Sequence, residues 1–308
     1  MLPHSDNIIP KIDRALLKQE LNANTFVRKT NKSDNEIYIV NHINSPNVLK
    51  EIGRLREVTF RASGGGTGNP FDLDKYDTSE NYYSQLIVYS PEENEIVGGY
   101  RFIRGSDCVN KNGEVELSTV NYFNLSETFK KDYLPYTIEL GRSWIQPIFQ
   151  PKENPRKGLF ALDNLWDGLG ALIVDNPDVK YLYGKVTMYP DYNIESRDCL
   201  LSFLNYFFPD KEGLLKPIYP LQKEKDFTSI FEGKDFKEAY KELNGFVRER
   251  GENIPPLINS YMGLSSTMKT FGTAVNPDFG GVEETGILVT IADIYPEKKE
   301  RHISTYKS

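Results

Sequence analysis

Thr137-Ile138-Glu139-Leu140-Gly141-Arg142-Ser143-Trp144-Ile145 sets an acid and an arginine inside a segment that is otherwise apolar and strand-like. Successive side chains of a strand face opposite sides of the sheet, so Glu139 and Arg142, three positions apart, point to opposite faces in an uninterrupted strand. A β-bulge at Gly141 brings them to one face, and a glycine inside a strand is a frequent mark of such a bulge. From the residues alone two readings stay open: a structural ion pair in a half-buried sheet, or a pair with a functional duty.

Outward from this strand, placed at about 135–146, the pattern alternates helix and strand. Upstream, residues 10–22 read as a helix, Glu36–Val40 as a strand, and 46–60 as a helix with Val48, Leu49, Ile52, Leu55 and Phe60 at helical spacing. Residues 63–77 read as a loop rich in Gly, Asp and Asn. Gln85–Tyr89 and Ile96–Ile103, joined by Pro91-Glu92-Glu93-Asn94, read as a hairpin. A short helix over 126–132 precedes the opening strand. Downstream come a Pro- and Lys-rich loop at 150–158, a helix at 159–175, a strand at 181–188 and an apolar helix at 194–208. The remainder offers a charged helix at 235–250, a short helix opened by Pro255-Pro256, and two strands at 270–275 and 286–294. Such an order predicts an α/β fold built around one mixed sheet. The leucines and phenylalanines of 194–208 read first as core burial, although an acyl-chain groove would need the same residues.

The chain has 308 residues, 39% hydrophobic and 26% charged, which suits a soluble globular protein with a sizeable core. A net charge of -7 argues against a general nucleic-acid binder. Two cysteines, Cys108 and Cys199, make neither a disulfide framework nor a metal site, and point to a reducing compartment. No apolar stretch of roughly 18 residues marks a membrane span and no apolar core marks a signal peptide.

Several motifs fail on closer inspection. Gly64-Gly65-Gly66-Thr67-Gly68 lacks the Gly-Lys-Ser/Thr ending of a phosphate loop and follows a helix, so it reads as a mobile connection. Asp72, Asp74 and Asp77 have the look of a calcium loop, yet the required glycine is missing and Tyr83 stands where a glutamate belongs, so no metal is expected. The histidines His4, His42 and His302 are scattered, which disfavours covalent catalysis. Arg156-Lys157-Gly158, by contrast, immediately precedes a helix, where free amides and two cations suit a phosphate or pyrophosphate.

Taken in order, Arg56-x-x-x-Phe60, Asp74-x-x-Asp77, Val97-Gly98-Gly99-Tyr100-Arg101 and Glu139-Leu140-Gly141-Arg142 make the chain resemble the acyl-homoserine-lactone synthases and their relatives in the GNAT superfamily, the N-acyltransferases that form ornithine or glycine lipids. Leu165-Trp166-x-Gly168-Leu169, Tyr181-Leu182-Tyr183-Gly184, Ile254-Pro255-Pro256-Leu257 and Asn276-Pro277-Asp278-Phe279 resemble the lipid branch, some of whose members carry a "hemolysin" label. The resemblance spans roughly residues 36–303. It departs from the family in the Gly-rich insertion, in the missing tryptophan after Phe60 and in a degenerate pyrophosphate loop.

The resemblance implies a GNAT-like core over 36–212, a helical extension over 1–35 and a C-terminal extension over 213–308 that completes the sheet. It implies transfer of a fatty acyl group from acyl-carrier protein, or from acyl-CoA, to the amine of an amino acid such as glycine or ornithine, with no tightly bound cofactor. Glu139 is then the candidate base, with Arg142 and the Trp144 backbone beside it. Arg56, Phe60, Asp74, Asp77 and Arg101 fall on the acceptor side, and Ile145, Arg156, Lys157 and Gly158 on the donor side. The implied setting is cytoplasmic, with acyl-carrier protein as partner and peripheral contact with the inner membrane surface. A lactone synthase using S-adenosylmethionine and a non-catalytic membrane-active protein stand as alternatives.

Overall fold

A computed structural model describes residues 7–150, 158 and 160–307. In chain order its elements are α1 (Arg14–Glu20), β1 (Phe26–Lys29), β2 (Glu36–Val40), α2 (Pro46–Ala62), α3 (Lys75–Thr78), β3 (Ser84–Ser90), β4 (Glu95–Arg104), β5 (Phe123–Leu125) and β6 (Thr137–Ile145). There follow α4 (Ala161–Asp175), β7 (Tyr181–Met188), α5 (Ile194–Phe207), β8 (Leu215–Pro217), α6 (Phe236–Glu249), α7 (Pro256–Met262), β9 (Lys269–Asn276), β10 (Val282–Thr290) and α8 (Pro296–His302). The α/β class expected from the sequence is the class observed.

The chain divides into two compact units. The first takes residues 1–118, 136–180 and 296–308. Its strands run β1-β2-β3-β4-β6, each antiparallel to the next. On this sheet β3 and β4 are buried along nearly their whole length, as is expected of strands covered on both faces. Helix α4 packs over β3 and β4, and its Gly168 is needed there because a Cβ would stand 2.6 Å from Leu86 Cδ2. Helix α8 returns to α4, where the buried His302 places Nδ1 2.8 Å from Asp167 Oδ1. The second unit takes residues 119–135 and 181–295. It contains the antiparallel set β7-β10-β9 and the pair β5-β8, with α5 packed on α6 through an aromatic cluster centred on Phe203, Phe207 and Phe236.

Two expectations change. The last strand begins at Val282, four residues before the predicted Gly286, because Glu283 and Glu284 hide its start. Both glutamates are buried, and Glu283 pairs with Arg197 while Glu284 pairs with Lys185. The Gly-rich loop is not a mobile connection: the buried Glu57 carboxylate of α2 accepts from Thr67 N at 3.1 Å, Thr67 Oγ1 at 2.8 Å and Gly68 N at 2.8 Å. Among the described residues no helix is long and apolar enough to cross a membrane.

Candidate active site

The site grows from four segments of the first unit. Pro46 at the start of α2 suits the first helical turn, where its missing N–H is not needed. Three turns later the helix delivers Arg56, with no exposed surface, beneath the following loop. That loop ends in α3, a single turn held by a capping box: Asp74 Oδ1 accepts from Tyr76 N at 2.9 Å, and Asp77 Oδ2 accepts from Asp74 N at 3.0 Å. The predicted loop of residues 63–77 therefore closes in a helix turn made by two of the aspartates singled out from the sequence.

Strand β4 brings Arg101, and β6 brings Arg142. Between the two strands the register slips: Gly99 pairs with Trp144 and Arg101 with Gly141, so Arg142 and Ser143 stand opposite Tyr100 alone. That is a β-bulge one residue later than predicted. Gly141 remains in the ladder, and Arg142 itself takes the left-handed backbone at φ 47°, the position that glycine usually fills in such bulges. The close approach of the strands is secured instead by Gly98, where a Cβ would lie 2.3 Å from the Trp144 carbonyl oxygen.

Three arginines and three aspartates meet here. Arg56 Nε donates to Asp72 Oδ2 at 3.0 Å and its Nη1 to Asp77 Oδ1 at 3.2 Å. Arg101 Nη1 lies 2.8 Å from both oxygens of Asp74 and 3.3 Å from Asp77 Oδ2. Arg142 Nη2 donates to Asp72 Oδ1 at 3.1 Å, with Nε 2.9 Å from Asp72 Oδ2, and stands 3.8 Å from Asp74 Oδ2. Gln85 Nε2 adds a bond of 2.9 Å to Asp77 Oδ1. Burial opposes ionisation of Asp72 and Asp77, but the arginines outweigh it: Arg142 and Arg56 hold Asp72 below the ordinary carboxylate range, and Arg56 and Arg101 do so for Asp77. Burial likewise works against the charged forms of Arg56 and Arg101, and the aspartates overcome it. Three arginines against three aspartates leave the cluster with no formal net charge.

Glu139 is 1% exposed and joins this cluster through Tyr83. Its Oε2 accepts from the Tyr83 hydroxyl at 2.9 Å and its Oε1 from Ser118 Oγ at 2.8 Å, while the Tyr83 oxygen accepts from Ser118 N at 2.8 Å. The Arg101 guanidinium carbon sits 5.0 Å from the centre of the Tyr83 ring. Burial, then the Glu139 charge, pushes the Tyr83 phenol well above its ordinary value, so it stays a donor. Cys108 nearby is raised to about 12 by burial and by Glu139, and is no thiolate nucleophile at neutral pH.

Of the residues singled out from the sequence, Arg56, Asp74, Asp77, Arg101 and Arg142 meet directly, and Glu139 attaches through Tyr83. Phe60 lies in the core at the end of α2, its carbonyl accepting from Gly65 N at 2.9 Å. Trp144 and Ile145 lie beyond the bulge, opposite Gly99 and Gly98. Because Gln146 N donates to Val97 O at 2.9 Å and N–H directions alternate along a strand, the Trp144 N–H also faces β4 and the Ile145 N–H faces away from it. Gly158 is buried in a helical position just before α4; Arg156 and Lys157 fall outside the described residues. The sequence reading missed Asp72, Tyr83, Gln85 and Ser118 as members. Asp72 and Tyr83 entered it only as parts of a failed calcium pattern. Among the described residues no group of three or more His, Cys, Asp or Glu could hold a metal ion, and the three aspartates are taken up by arginines.

Residues 55–157, which carry the bulged pair of strands, match an acetyltransferase (GNAT) domain. Two curated relatives, each named glycine N(alpha)-acyltransferase, are each 52% identical over 305 residues. The one from Phocaeicola vulgatus aligns over 98% of this chain and 94% of its own length, and that from Bacteroides thetaiotaomicron over 98% and 90%. The chain belongs to this family of GNAT-type N-acyltransferases and is an acyltransferase. A solved structure, that of FeeM, an N-acyl amino acid synthase from uncultured soil microbes, aligns over 89% of this chain and 98% of its own with 9% identity and a TM-score of 0.38.

Proposed function

We propose that this enzyme transfers a fatty acyl group from a phosphopantetheine thioester to the α-amine of a free amino acid, with glycine the first acceptor to test, as a step in aminolipid formation. One observation carries the acceptor side. Four members of the ionic cluster are buried, and the two that reach solvent are Asp74, its side chain 32% exposed, and Arg142, at 14%, opposite charges 3.8 Å apart. An α-amino acid is a zwitterion of matching size: its ammonium fits Asp74 and its carboxylate fits the guanidinium of Arg142. The names of the relatives agree with an amino-acid acceptor of the smallest kind.

In this reading the ammonium loses a proton, the neutral amine attacks the thioester carbonyl, a tetrahedral oxyanion forms, and its collapse breaks the C–S bond. The amide keeps one of the amine's hydrogens, and the departing sulfur takes up a proton. An α-amino group with an ordinary pKa near 8 needs only a modest base. Glu139 is that base, reached through the Ser118 or Tyr83 hydroxyl, since both of its oxygens accept from those groups. The Ile145 N–H, facing away from β4, donates to the oxyanion. Arg156, Lys157 and Gly158 take the donor's phosphate, and the degenerate pyrophosphate loop fits an acyl-carrier protein donor better than free coenzyme A. The catalytic core lies within 36–212, the segments on either side are additions to it, and the enzyme works in the cytoplasm against the inner membrane surface.

The test is thiol release from acyl-carrier and acyl-CoA thioesters over a panel of acceptors: glycine, ornithine, and simple amines without a carboxylate. Glycine-dependent release with an N-acylglycine product is expected. Equal release with the simple amines would remove the Asp74–Arg142 reading. A folded Glu139→Gln protein with the wild-type rate at every pH would remove Glu139 from the role of base.

A further inference from the structure

We infer that Gly141 is a specificity-determining residue: its bare backbone is the floor against which the Cα of the amino-acid acceptor lies, between the Ser118 hydroxyl that leads to Glu139 and the guanidinium of Arg142. The inference rests on the acceptor reading above. It starts from a glycine for which the fold gives no reason. Gly98 and Gly99, on the neighbouring strand β4, are required by packing, since a Cβ would stand 2.3 Å from the Trp144 carbonyl oxygen at the first and 2.6 Å from the Leu86 carbonyl oxygen at the second. Gly141 is not required in this way: the atoms nearest to its Cβ position are Arg101 Nε at 3.4 Å, Arg101 Cγ at 3.5 Å and Ser118 Oγ at 3.9 Å, which is ordinary contact. Nor does its backbone need a glycine, because the left-handed φ of the bulge belongs to Arg142. A glycine inside a strand weakens it, and where neither packing nor backbone asks for one, its remaining use is the close approach of a ligand.

The surroundings of this floor suit an amino acid. Arg101 stands directly opposite on β4 and Glu139 two residues back on β6, so the missing side chain of Gly141 lies on the face that both of them share. Both are buried, whereas Gly141 is half-buried and reaches solvent. Ser118 Oγ, at the edge of the floor, donates to Glu139 Oε1 at 2.8 Å. Arg142, next along the chain, holds its guanidinium 3.8 Å from Asp74 Oδ2. Arg101 donates through Nη1 to Asp74 and Asp77, but its buried Nε has no hydrogen-bond partner among the described residues. An acceptor carboxylate oxygen above Gly141 gives that donor a partner without displacing any existing bond. An amino acid with its ammonium at Asp74 and its carboxylate at Arg142 thus rests its Cα on residue 141, and a methyl group there would lift it by one C–C bond, roughly 1.5 Å.

Gly141→Ala should fold, with a melting temperature at or above that of the wild type, because the methyl meets no close neighbour and the unfolded chain loses freedom. In thiol-release assays its acceptor KM should rise about fivefold or more, with the donor KM within about twofold of wild type, since a displacement of about 1 Å is enough to spoil a bound geometry. A smaller rise in the acceptor KM of the folded variant, or an equal rise in the donor KM, overturns the inference while wild-type glycine turnover stands. Should Gly141→Ala not fold, the wild type supplies the test. With both charged ends of the acceptor fixed, one of the two Cα hydrogens of glycine faces the floor, so at least one enantiomer of alanine should show a KM about fivefold or more above that of glycine. Smaller differences for both enantiomers overturn the inference. Absence of turnover by the wild type with every α-amino acid overturns the acceptor reading and this inference with it.

Discussion

Asp72→Asn probes the cluster at its centre, because Asp72 is the carboxylate shared by Arg56 and Arg142. Each attraction, at a charge separation near 4 Å and an effective dielectric near 20, is worth about 4 kcal/mol. Repulsion between Asp72 and Asp77, and the desolvation of a carboxylate that is 1% exposed, offset part of that sum. The net loss should be about 3 to 5 kcal/mol, the range for removing one member of a buried ion pair. Urea denaturation at pH 7 measures it, and a melting temperature lower by roughly 10 °C should accompany it. The pH dependence supplies a second arm. Because the folded pKa of Asp72 lies below its unfolded value, its contribution is complete above about pH 4 and is lost as pH falls through the depressed native value. Wild type should therefore lose its advantage over Asp72→Asn on acidification below about pH 4, and keep it in full between pH 5 and 8. Adding Arg142→Gln to the variant removes a cation that has lost its Asp72 carboxylate, and should restore part of the stability. A loss at pH 7 below about 1 kcal/mol, or a difference that grows on acidification, would refute the electrostatic account.

Three shorter predictions concern Arg142, Gly98 and the two cysteines. Arg142→Gly should be more stable than Arg142→Ala by about 1 kcal/mol in urea titrations, because the backbone there is left-handed; both should lose at least about 30-fold in kcat/KM for an amino-acid acceptor. Gly98→Ala, which forces a Cβ against the Trp144 carbonyl, should destabilise the fold by about 2 kcal/mol or more, measured the same way, and reduce turnover. Burial raises both cysteine thiols to about 12, so neither should react with a thiol reagent in the native protein at pH 8, and both should titrate on unfolding; a fast-reacting native thiol contradicts this.

What the sequence made legible were the features that depend on local pattern. The hairpin of β3 and β4, the strand β7 and the helices α2, α4 and α5 follow from apolar periodicity that no distant contact contradicts. The bulge was legible as a device and displaced by one residue, since glycine is the expected owner of a left-handed position. Here Gly141 stays in the ladder opposite Arg101, where a Cβ would make only ordinary contact, 3.4 Å from Arg101 Nε. Arg142 takes the unfavourable backbone instead, with Asp72 holding its head group. Partner choice was not legible. Tyr83 and Ser118 reach Glu139 across 56 and 21 residues of chain, and nothing in their own neighbourhoods marks them as its donors. Composition misled on the Gly-rich loop because the group that fixes it, Glu57, reads as an ordinary polar residue of a helix.

The charge balance of the cluster bears directly on which acceptors it can take. Arg56, Arg101, Asp72 and Asp77 are sealed from solvent and paired within the cluster, so they cannot exchange partners with a ligand at low cost. Their service is to fix Asp74 and Arg142 on a rigid, neutral base. In the proposed reading a zwitterion inserted between those two replaces a long 3.8 Å contact with two close ones and leaves the total charge at zero. A simple amine would bring its cation to Asp74 and nothing to Arg142, adding a positive charge to a half-buried site without an anion to balance it. In that reading the cluster serves stability through its buried members and selectivity through its exposed pair, and changes at the two kinds of position should separate: Asp72 and Arg56 variants should unfold more easily, whereas an Asp74 variant should keep most of its stability and lose its discrimination between amino acids and amines.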